Sequence, residues 1–586
     1  MNRLSALDSL FLYFETPETP MHVGSVTIFK PASHDDDRFR RFREHTAARL
    51  DLLPSYRRRL ESTPLGIDHP VWVIDQKLDL DYHIRRAVLP KPGGMSELRA
   101  IIARLHAVPL DRARPLWEYH FIEGLEDGAF AVYVKVHHAA MDGLAGMATL
   151  GATFDFAPGE GREDLAPHPV SADVEPSDGI ELASTAIGDF IRQGWRAVRG
   201  APGMLRSLAK IAPNLTRDAR FLYSYVREKP RTPFNAMISA RRVYATCSLP
   251  LAEVKGLAKS RGVTINDLVL ALCSGALRRY LADRGSLPDK PLTAGVPASL
   301  RPFGDSRLNN QVVFTLSRLP TDVSEPLPRL AAAQRAGQEA KNLFADMRDL
   351  FTTNVSLLGA PLVVTAIARL WAGARAANYL PPFFNVVISN VPGPRQTMYC
   401  VGAPATHYFP VSIPYHGCAL NITVQSYLDQ LDFGLIACSD VVPDAQRIAD
   451  FIADDFAALR QADAAAGRAL EGTGATAKPA PPGGGRPTRP PEAASAPMSV
   501  GAGEPSFALR IEALGAITEA LARKLDERTS LTSRAPRAGK KTAEARRRSG
   551  TRPAADESRR GESRAKRRPR SKSGGASKSA GGETET

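Results

Sequence analysis

Cysteine is scarce in this chain, and what there is does not pair. The five residues, at positions 247, 273, 400, 418 and 438, are odd in number and irregularly spaced, which suits a reducing compartment and not a disulfide framework. A secretory signal is missing too: the opening Met-Asn-Arg-Leu-Ser-Ala-Leu-Asp has no apolar core. Long hydrophobic runs are absent. The nearest approach, residues 357–372, is broken by Gly359, Pro361 and Arg369, so no spanning helix is expected. These absences point to a cytoplasmic protein that touches a membrane, if at all, from its inner face. Only 12 of the 586 residues are histidine, and no Cys/His cluster has metal-ligand spacing, so no metal is expected.

The positive charge is unevenly held. Residues 471–586 carry 24 Lys+Arg against 13 Asp+Glu, a net of +11 out of the whole chain's +14. The basic character therefore belongs to the tail and not to the body. Stretches 475–505 and 531–586 are dominated by Pro, Gly, Ala, Ser and Arg and read as disordered, because they bury too little apolar surface to offset chain entropy. Between them, residues 507–525 place Leu, Ile and Phe at near-helical spacing. Such a helix can dock on a membrane surface or a partner, or cover the core of the body. Runs such as Arg546-Arg547-Arg548 suit anionic lipid, or nucleic acid by charge alone.

What remains is long enough for two domains. Residues 1–178 read as one α/β unit ending in a Pro/Gly/acidic linker, 179–235 as a helical connector, 236–465 as a second α/β unit, and 466–586 as the tail. Within the first, Ser5-Ala6-Leu7-Asp8 is a capping-box pattern, residues 21–29 and 71–74 read as strands, and 37–53 and 96–106 as helices. Residues 117–122 and 130–138 form a hairpin around Gly124 and Gly128. In the second, Thr264 caps a strong helix, and strands are expected at 311–316, 384–389, 420–427 and 431–438.

The richest motif is His137-His138-Ala139-Ala140-Met141-Asp142-Gly143. It follows the alternating segment Phe130-Ala-Val-Tyr-Val-Lys-Val136, whose period of two puts Val132, Val134, Val136 and His138 on one face, the expected buried one, with Tyr133, Lys135 and His137 on the other. His138 is thereby placed for proton transfer in an enclosed site. Neighbouring histidines on a strand face opposite ways and do not ligate one ion easily. Further along the chain come Asn266-Asp267, Ser389-Asn390-Val391-Pro392-Gly393-Pro394 and Leu420-Asn421-Ile422, and upstream Pro115-Leu116-Trp117.

In this order the motifs, with Leu4-Ser-Ala-Leu-Asp8 and Pro20-Met21-His22-Val23-Gly24, resemble the bacterial wax ester synthase/diacylglycerol acyltransferase family over roughly residues 3–460. HHxxxDG alone is shared with peptide-synthetase condensation domains and other CoA-dependent acyltransferases; the companion motifs narrow it. The resemblance implies an α/β (α+β) fold of two chloramphenicol-acetyltransferase-like subdomains, with the active site in a tunnel at their interface. It also implies acyl-CoA as a substrate and no cofactor, a diacylglycerol or long-chain alcohol as acceptor and, for an enzyme acting on lipid, a membrane or lipid-droplet surface and not nucleic acid as the expected partner of the tail. A carrier-bound acyl donor, or a non-catalytic lipid-surface protein, are the alternatives.

Ester formation from a thioester needs a base for the alcohol proton and a stabiliser for the oxyanion. His138 is the expected base. His137 is expected to pack or hydrogen-bond in support. The resemblance implies that Asp142 is structural and paired with an arginine, for which Arg301 is the candidate. Gly143 permits close backbone approach or a positive φ. Asn266 and Asp267 fit helix capping equally with a site role for Asn266. Ser389 and Asn390 fit either turn chemistry or contacts to the oxyanion or pantetheine arm, and Trp117 either a core aromatic or a ligand contact. Leu431-Asp432-Phe433-Gly434 is similar to a structural Asp-Phe-Gly motif of related acyltransferases.

Overall fold

The computed structural model describes residues 2–32, 37–62, 69–140, 149–158, 229–299, 312–354 and 382–474. Asp142, Gly143, Arg301, the linker from residue 159, the expected helices of the connector to residue 228 and the tail from 475, including 507–525, lie outside them. The first half contains β1 (Asn2–Arg3), α1 (Ala6–Phe14), β2 (His22–Phe29), α2 (Arg38–Arg49), β3 (Arg58–Glu61) and β4 (Val71–Ile74). It continues with α3 (Leu80–His83), β5 (Ile84–Val88), α4 (Met95–Ala107), β6 (Trp117–Glu123) and β7 (Phe130–His137). The second half has β8 (Arg242–Pro250), α5 (Leu251–Arg261), α6 (Ile265–Ala282), β9 (Leu292–Ser299), β10 (Val312–Leu319) and α7 (Pro326–Asn354). After these come β11 (Val386–Val391), β12 (Tyr399–Cys400), β13 (Ala403–Val411), β14 (Leu420–Tyr427), β15 (Gln430–Cys438) and α8 (Ala445–Gly474). None of the described helices is long and apolar enough to cross a membrane.

Local chemistry sets the element starts. Ser5 Oγ accepts from the Asp8 N–H and donates to its carboxylate, so Ser5 caps α1. Asp8 bonds the Ser5 hydroxyl and not its N–H, which is half of the capping box read from sequence. Thr264 and Asp267 form the full box for α6, with bonds running both ways between the cap and the third residue.

The strands form two six-stranded sheets. One has the order β12-β13-β2-β7-β6-β5, the other β10-β9-β11-β14-β15-β8. A smaller sheet, β1-β4-β3, stands apart from both. Strands β12 and β13 come from the second half of the chain but complete the first sheet, β13 pairing antiparallel with β2 from Val411↔Gly24 to Ala405↔Phe29. A chain cut near residue 236 therefore separates β13 from the sheet it completes. Sequence patterning passes over this strand because Pro404 and Pro410 lie inside it, and proline reads as a strand breaker.

The Asp-Phe-Gly segment fastens the two sheets together at this strand. Asp432 accepts from the Ser248 hydroxyl at 2.6 Å and from the Tyr408 N–H of β13 at 2.8 Å. Gly434 lies against the Pro410 carbonyl so closely that a Cβ there would collide with it. Tyr244 donates to the same carbonyl at 2.9 Å.

The second sheet has one apolar and one polar face. Val386 and Ile388 of β11 and Leu420, Ile422 and Val424 of β14 enter the main core with α6 and α8. By strand alternation Ser389, Asn421, Thr423 and Gln425 share the opposite face, Ser389 lying beside Thr423 in register. The first sheet differs: β7 is buried along its whole length, Phe130, Val132, Val134 and Val136 in one cluster and Ala131 and Tyr133 in another. Each large apolar side chain so buried is worth about 1.5–3 kcal/mol relative to exposure.

Candidate active site

β7 ends at His137, and His138 opens a short 3-10 turn, His138–Ala140. The alternation read from sequence holds from Ala131 to Val136 but does not reach His138, which has left the strand, and its assignment of one buried face does not hold. His137, expected to face away, is fully buried, whereas His138 is half-buried. The reason is that the sheet is covered on both sides, so the imidazole that escapes burial is the one that leaves the strand.

The turn is held from several directions. The His137 N–H donates to the Leu116 carbonyl at 3.0 Å and the His138 N–H to the Met21 carbonyl at 2.8 Å. Helix α1 packs over the turn, and Phe11 stacks on the His138 ring with centroids 3.9 Å apart and planes 9° from parallel. Below it, Leu4, Leu12, Leu110, Leu116 and Ala139 form a small apolar cluster.

Glu15, just past the end of α1, is the residue that sequence reasoning missed. Its Oε1 accepts from the Met21 N–H at 3.0 Å and lies 3.3 Å from His137 Nε2. Its Oε2 accepts from Arg112 Nε and Nη2 at 2.8 and 2.6 Å. Burial by itself raises the Glu15 carboxyl, but His137, Arg112 and the Met21 amide outweigh it and hold the pKa at about 2. His137 Nδ1 accepts from the Ala139 N–H at 3.0 Å, so the ring proton sits on Nε2, facing the carboxylate. His137 thus ties α1 to the backbone of the turn that carries His138. The available signal was an acidic residue five positions ahead of the Pro20-Met21-His22-Val23-Gly24 stretch, and its meaning depends on a contact distant in sequence.

A second buried polar system underlies β7. His22, opposite His137 in the β2–β7 register, donates through Nε2 to the His106 carbonyl at 2.8 Å. His106 Nε2 donates to the Ser412 carbonyl at 2.7 Å, which leaves Nδ1 to accept from Tyr133 at 2.7 Å. Burial pushes His106 down to about 3 and His22 well below its ordinary value. Lys135 is fully buried, donating to the Leu105 and Val108 carbonyls, with its Nζ 3.4 Å from Glu118. Burial opposes ionisation of Glu118, yet His120, Lys135 and Arg85 together hold it at about 2.

The remaining candidates separate by place. Trp117 is a core residue: it is 1% exposed, its Nε1 donates to the Tyr56 carbonyl, and its ring stacks on Tyr56 and His83. That corrects its reading as a ligand contact, since the ring and its N–H are both occupied. Asp267 is buried in the capping box, with Asn266 beside it, half-buried in the first turn of α6. Ser389 and Asn390 lie within β11, not in a turn after it, because the strand runs on through Val391. Their side chains point to opposite faces: Asn390 to the face of Ile388 and the helices, Ser389 to the polar face. On that face Asn421 donates to Ser412 Oγ at 3.2 Å and to the Ile413 carbonyl at 3.1 Å, and accepts from Thr423 at 2.9 Å. The carbonyl of the same Ser412 accepts from His106, so the polar face of the second sheet meets the buried polar system of the first. Among the described residues, no cluster of three or more His, Cys, Asp or Glu is arranged to hold a metal ion.

Two six-stranded sheets fastened together at β13, with an HHxxxDG histidine just past the end of a buried strand, define the class as a two-sheet α/β acyltransferase. More narrowly, the chain belongs to the wax ester synthase/diacylglycerol acyltransferase family. The model of that family's catalytic domain matches residues 4–269, and the model of its C-terminal domain matches residues 308–460. A Mycobacterium tuberculosis protein named a putative diacylglycerol O-acyltransferase is 38% identical over 469 residues, covering 78% of this chain and 99% of its own. Another from that organism, named a probable diacylglycerol O-acyltransferase, is 35% identical over 469 residues, covering 79% and 99%. The solved wax ester synthase/diacylglycerol acyltransferase of Marinobacter aquaeolei is 32% identical, covers 79% of this chain and 100% of its own, and superposes with a TM-score of 0.58.

Proposed function

We propose that the protein transfers an acyl group from acyl-CoA to the hydroxyl of diacylglycerol, of a long-chain alcohol, or of both, with His138 as general base. The observation that carries the role of His138 is its position. It is the half-buried imidazole at the end of a fully buried strand, held flat against Phe11 on a turn pinned by His137 and Glu15. A free imidazole has a pKa near 6.5, so its neutral form can accept a hydroxyl proton at neutral pH. The alkoxide then adds to the thioester carbonyl. The tetrahedral intermediate collapses to the ester, and the protonated His138 returns its proton to the departing CoA thiolate. No acyl-enzyme is needed when both substrates are bound together.

Ser389 is the candidate donor to the oxyanion, because it shares the polar sheet face with Asn421 and Thr423, while Asn390 lies under the helices. His137 and Asp142 position, the latter with Arg301 as candidate partner. The reaction site lies at the junction of the two halves, in the tunnel that the family resemblance implies. The basic tail, outside the described residues, holds the enzyme at the anionic inner surface of a membrane or at a lipid droplet.

The test is purified His138→Ala against wild type, with one acyl-CoA and both acceptors in competition. The expected loss is about 10²–10⁴-fold in kcat at an unchanged melting temperature. Turnover at the wild-type rate removes His138 from the mechanism, and a wild-type enzyme that esterifies neither acceptor removes the substrate assignment.

A further inference from the structure

Helix α1 turns one stripe of side chains toward the turn that carries the two histidines. Asp8, Phe11 and Glu15 follow one another at three- and four-residue spacing, so they share a face. The helix is fastened at both ends. At its start Ser5 caps it, and the Leu4 N–H donates to the Pro70 carbonyl at 3.2 Å. At its end Arg112 Nη2 donates to the Leu12 carbonyl and to Glu15, each at 2.6 Å, while the Tyr13 hydroxyl lies 2.9 Å from His69 Nδ1. Phe11 therefore stands on a backbone that is tied down on either side of it.

The contact that Phe11 makes is not the one two uncharged rings favour. Neutral aromatic pairs adopt offset or edge-to-face arrangements with centroids about 4.5–7 Å apart. Here the centroids of Phe11 and His138 are 3.9 Å apart, and the planes lie 9° from parallel. A face-on approach this close is the one a cation makes to an aromatic ring, whose face carries the negative part of its quadrupole. The neutral imidazole gains little from it and the imidazolium gains more. The stack also leaves the edge of the imidazole, where its nitrogens present their lone pair and proton in plane, clear of Phe11.

The charged and titratable groups around the turn are engaged elsewhere. On α1, Asp8 accepts from the Ser5 hydroxyl, and Glu15 is shared between Arg112 and His137. The segment ahead of β6 supplies that same Arg112. Strand β7 supplies His137, whose Nε2 faces Glu15, and β2 supplies His22, whose Nε2 donates to the His106 carbonyl. Strands β3 and β4 meet the apolar cluster beneath the turn with Leu60 and Trp72. The face of His138 turned to α1 is taken by an aromatic ring instead of a charge. We propose that Phe11 is a positioning residue that fixes the plane of the His138 imidazole and stabilises its protonated form. The proton taken from the acceptor hydroxyl is thereby held until it passes to the departing CoA thiolate. This role in turnover rests on His138 being the base, but the state of its ring can be read without turnover.

The experiment labels the histidine rings of the full chain with carbon-13 and titrates them by NMR, the His138 signal being assigned by its absence from His138→Gln. Wild type is compared with Phe11→Leu, which has apolar bulk but no ring. It is also compared with a protein whose Phe11 ring is pentafluorinated, which keeps the shape of the ring and reverses its quadrupole. Both altered proteins are expected to titrate His138 about half a pH unit or more to the acid side of wild type. The acid limb of the pH profile of kcat/KM should move with it. In Phe11→Leu kcat should also fall about tenfold while the KM for acyl-CoA holds. Phe11→Tyr, which keeps the ring, should follow wild type in every measurement. A His138 titration that is the same in wild type and the fluorinated protein overturns the proposal and leaves Phe11 as packing. So does a Phe11→Leu protein that loses activity and melting temperature together while its His138 titrates as in wild type. If Phe11→Leu does not fold, the fluorinated protein decides alone. If the titration moves and the pH profile of kcat/KM does not, the stack stands and His138 is not the base.

Discussion

The two six-stranded sheets use their polar residues in opposite ways. Behind β7 the first sheet buries ionisable groups, including His22, His106, Lys135, Glu118, Glu15 and His137. The second sheet keeps α6 and α8 on a face of Leu, Ile, Val and Phe, and on its other face carries the uncharged Ser389, Asn421, Thr423 and Gln425, with the buried Asp432 carboxyl in register beside Gln425. One sheet is therefore suited to hold and orient a proton carrier, and the other to offer neutral hydrogen-bond donors. A base needs a fixed tautomer and orientation, which buried charged networks enforce. An oxyanion needs donors already in place, which a rigid strand provides.

Acid should break the comparison most strongly, because the two sides titrate with opposite sign. His106 is held at about 3 in the folded protein against an ordinary 6.5, and Glu15 and Glu118 at about 2 against 4.5. For each, the unfolded chain binds more protons in the intervening window. Stability from His106 is complete above pH 6.5 and is lost as pH falls toward 3. The contribution of the two glutamates is lost between pH 4.5 and 2. Burial raises Asp432 and Asp455 in the second half, so their contribution is present below pH 3.8 and is lost as pH rises through their folded values. Thermal melts followed by circular dichroism should show the melting temperature falling steadily below pH 6.5, with a flatter profile in His106→Gln. A melting temperature constant from pH 6.5 to 4.5 contradicts the assignment of the first sheet.

The next effect in size sharpens the role of the second sheet. Ser389→Ala is expected to lower kcat about a hundredfold, the usual cost of one oxyanion donor, with KM little changed. Asn390→Ala, on the helix-covered face, should act on the melting temperature instead. Single-turnover assays of both variants decide this, and equal losses of kcat in the two remove the distinction between the faces. The smallest effect concerns Glu15. Glu15→Gln keeps the contact with the Met21 amide but removes the charge facing His137, and kcat should fall about tenfold, as loss of one charged hydrogen bond predicts. The pH profile of kcat should shift at the same time, a change that a purely structural role does not produce.

Much of the local structure was legible from the chain. The N-caps at Ser5 and Thr264, the second of them a full capping box, the hairpin of β6 and β7, and β14 at residues 420–427 follow from patterns that side-chain spacing alone dictates. The period of two correctly sorted the side chains of β7 from Ala131 to Val136 into two sets, but it does not extend to His138, which has already left the strand. It failed on which face is covered, because alternation reports relative facing and carries no information about what packs on each face. Strand β13 was illegible for a related reason: its prolines read as breakers, and its pairing with β2 joins segments far apart in sequence. Trp117 was ambiguous until Tyr56 and His83 closed over it.

The sequence by itself determined the chemical inventory, namely an HHxxxDG turn after a strand, companion motifs in family order and a basic tail set apart from a nearly neutral body. Tertiary structure alone decided that Glu15 meets His137, that Ser389 and not Asn390 lies on the polar face, and that the Asp-Phe-Gly segment fastens the two sheets. The physical reason is range: caps, turns and alternation act within a few residues, whereas burial and charge pairing depend on which distant segments the completed sheets bring into contact.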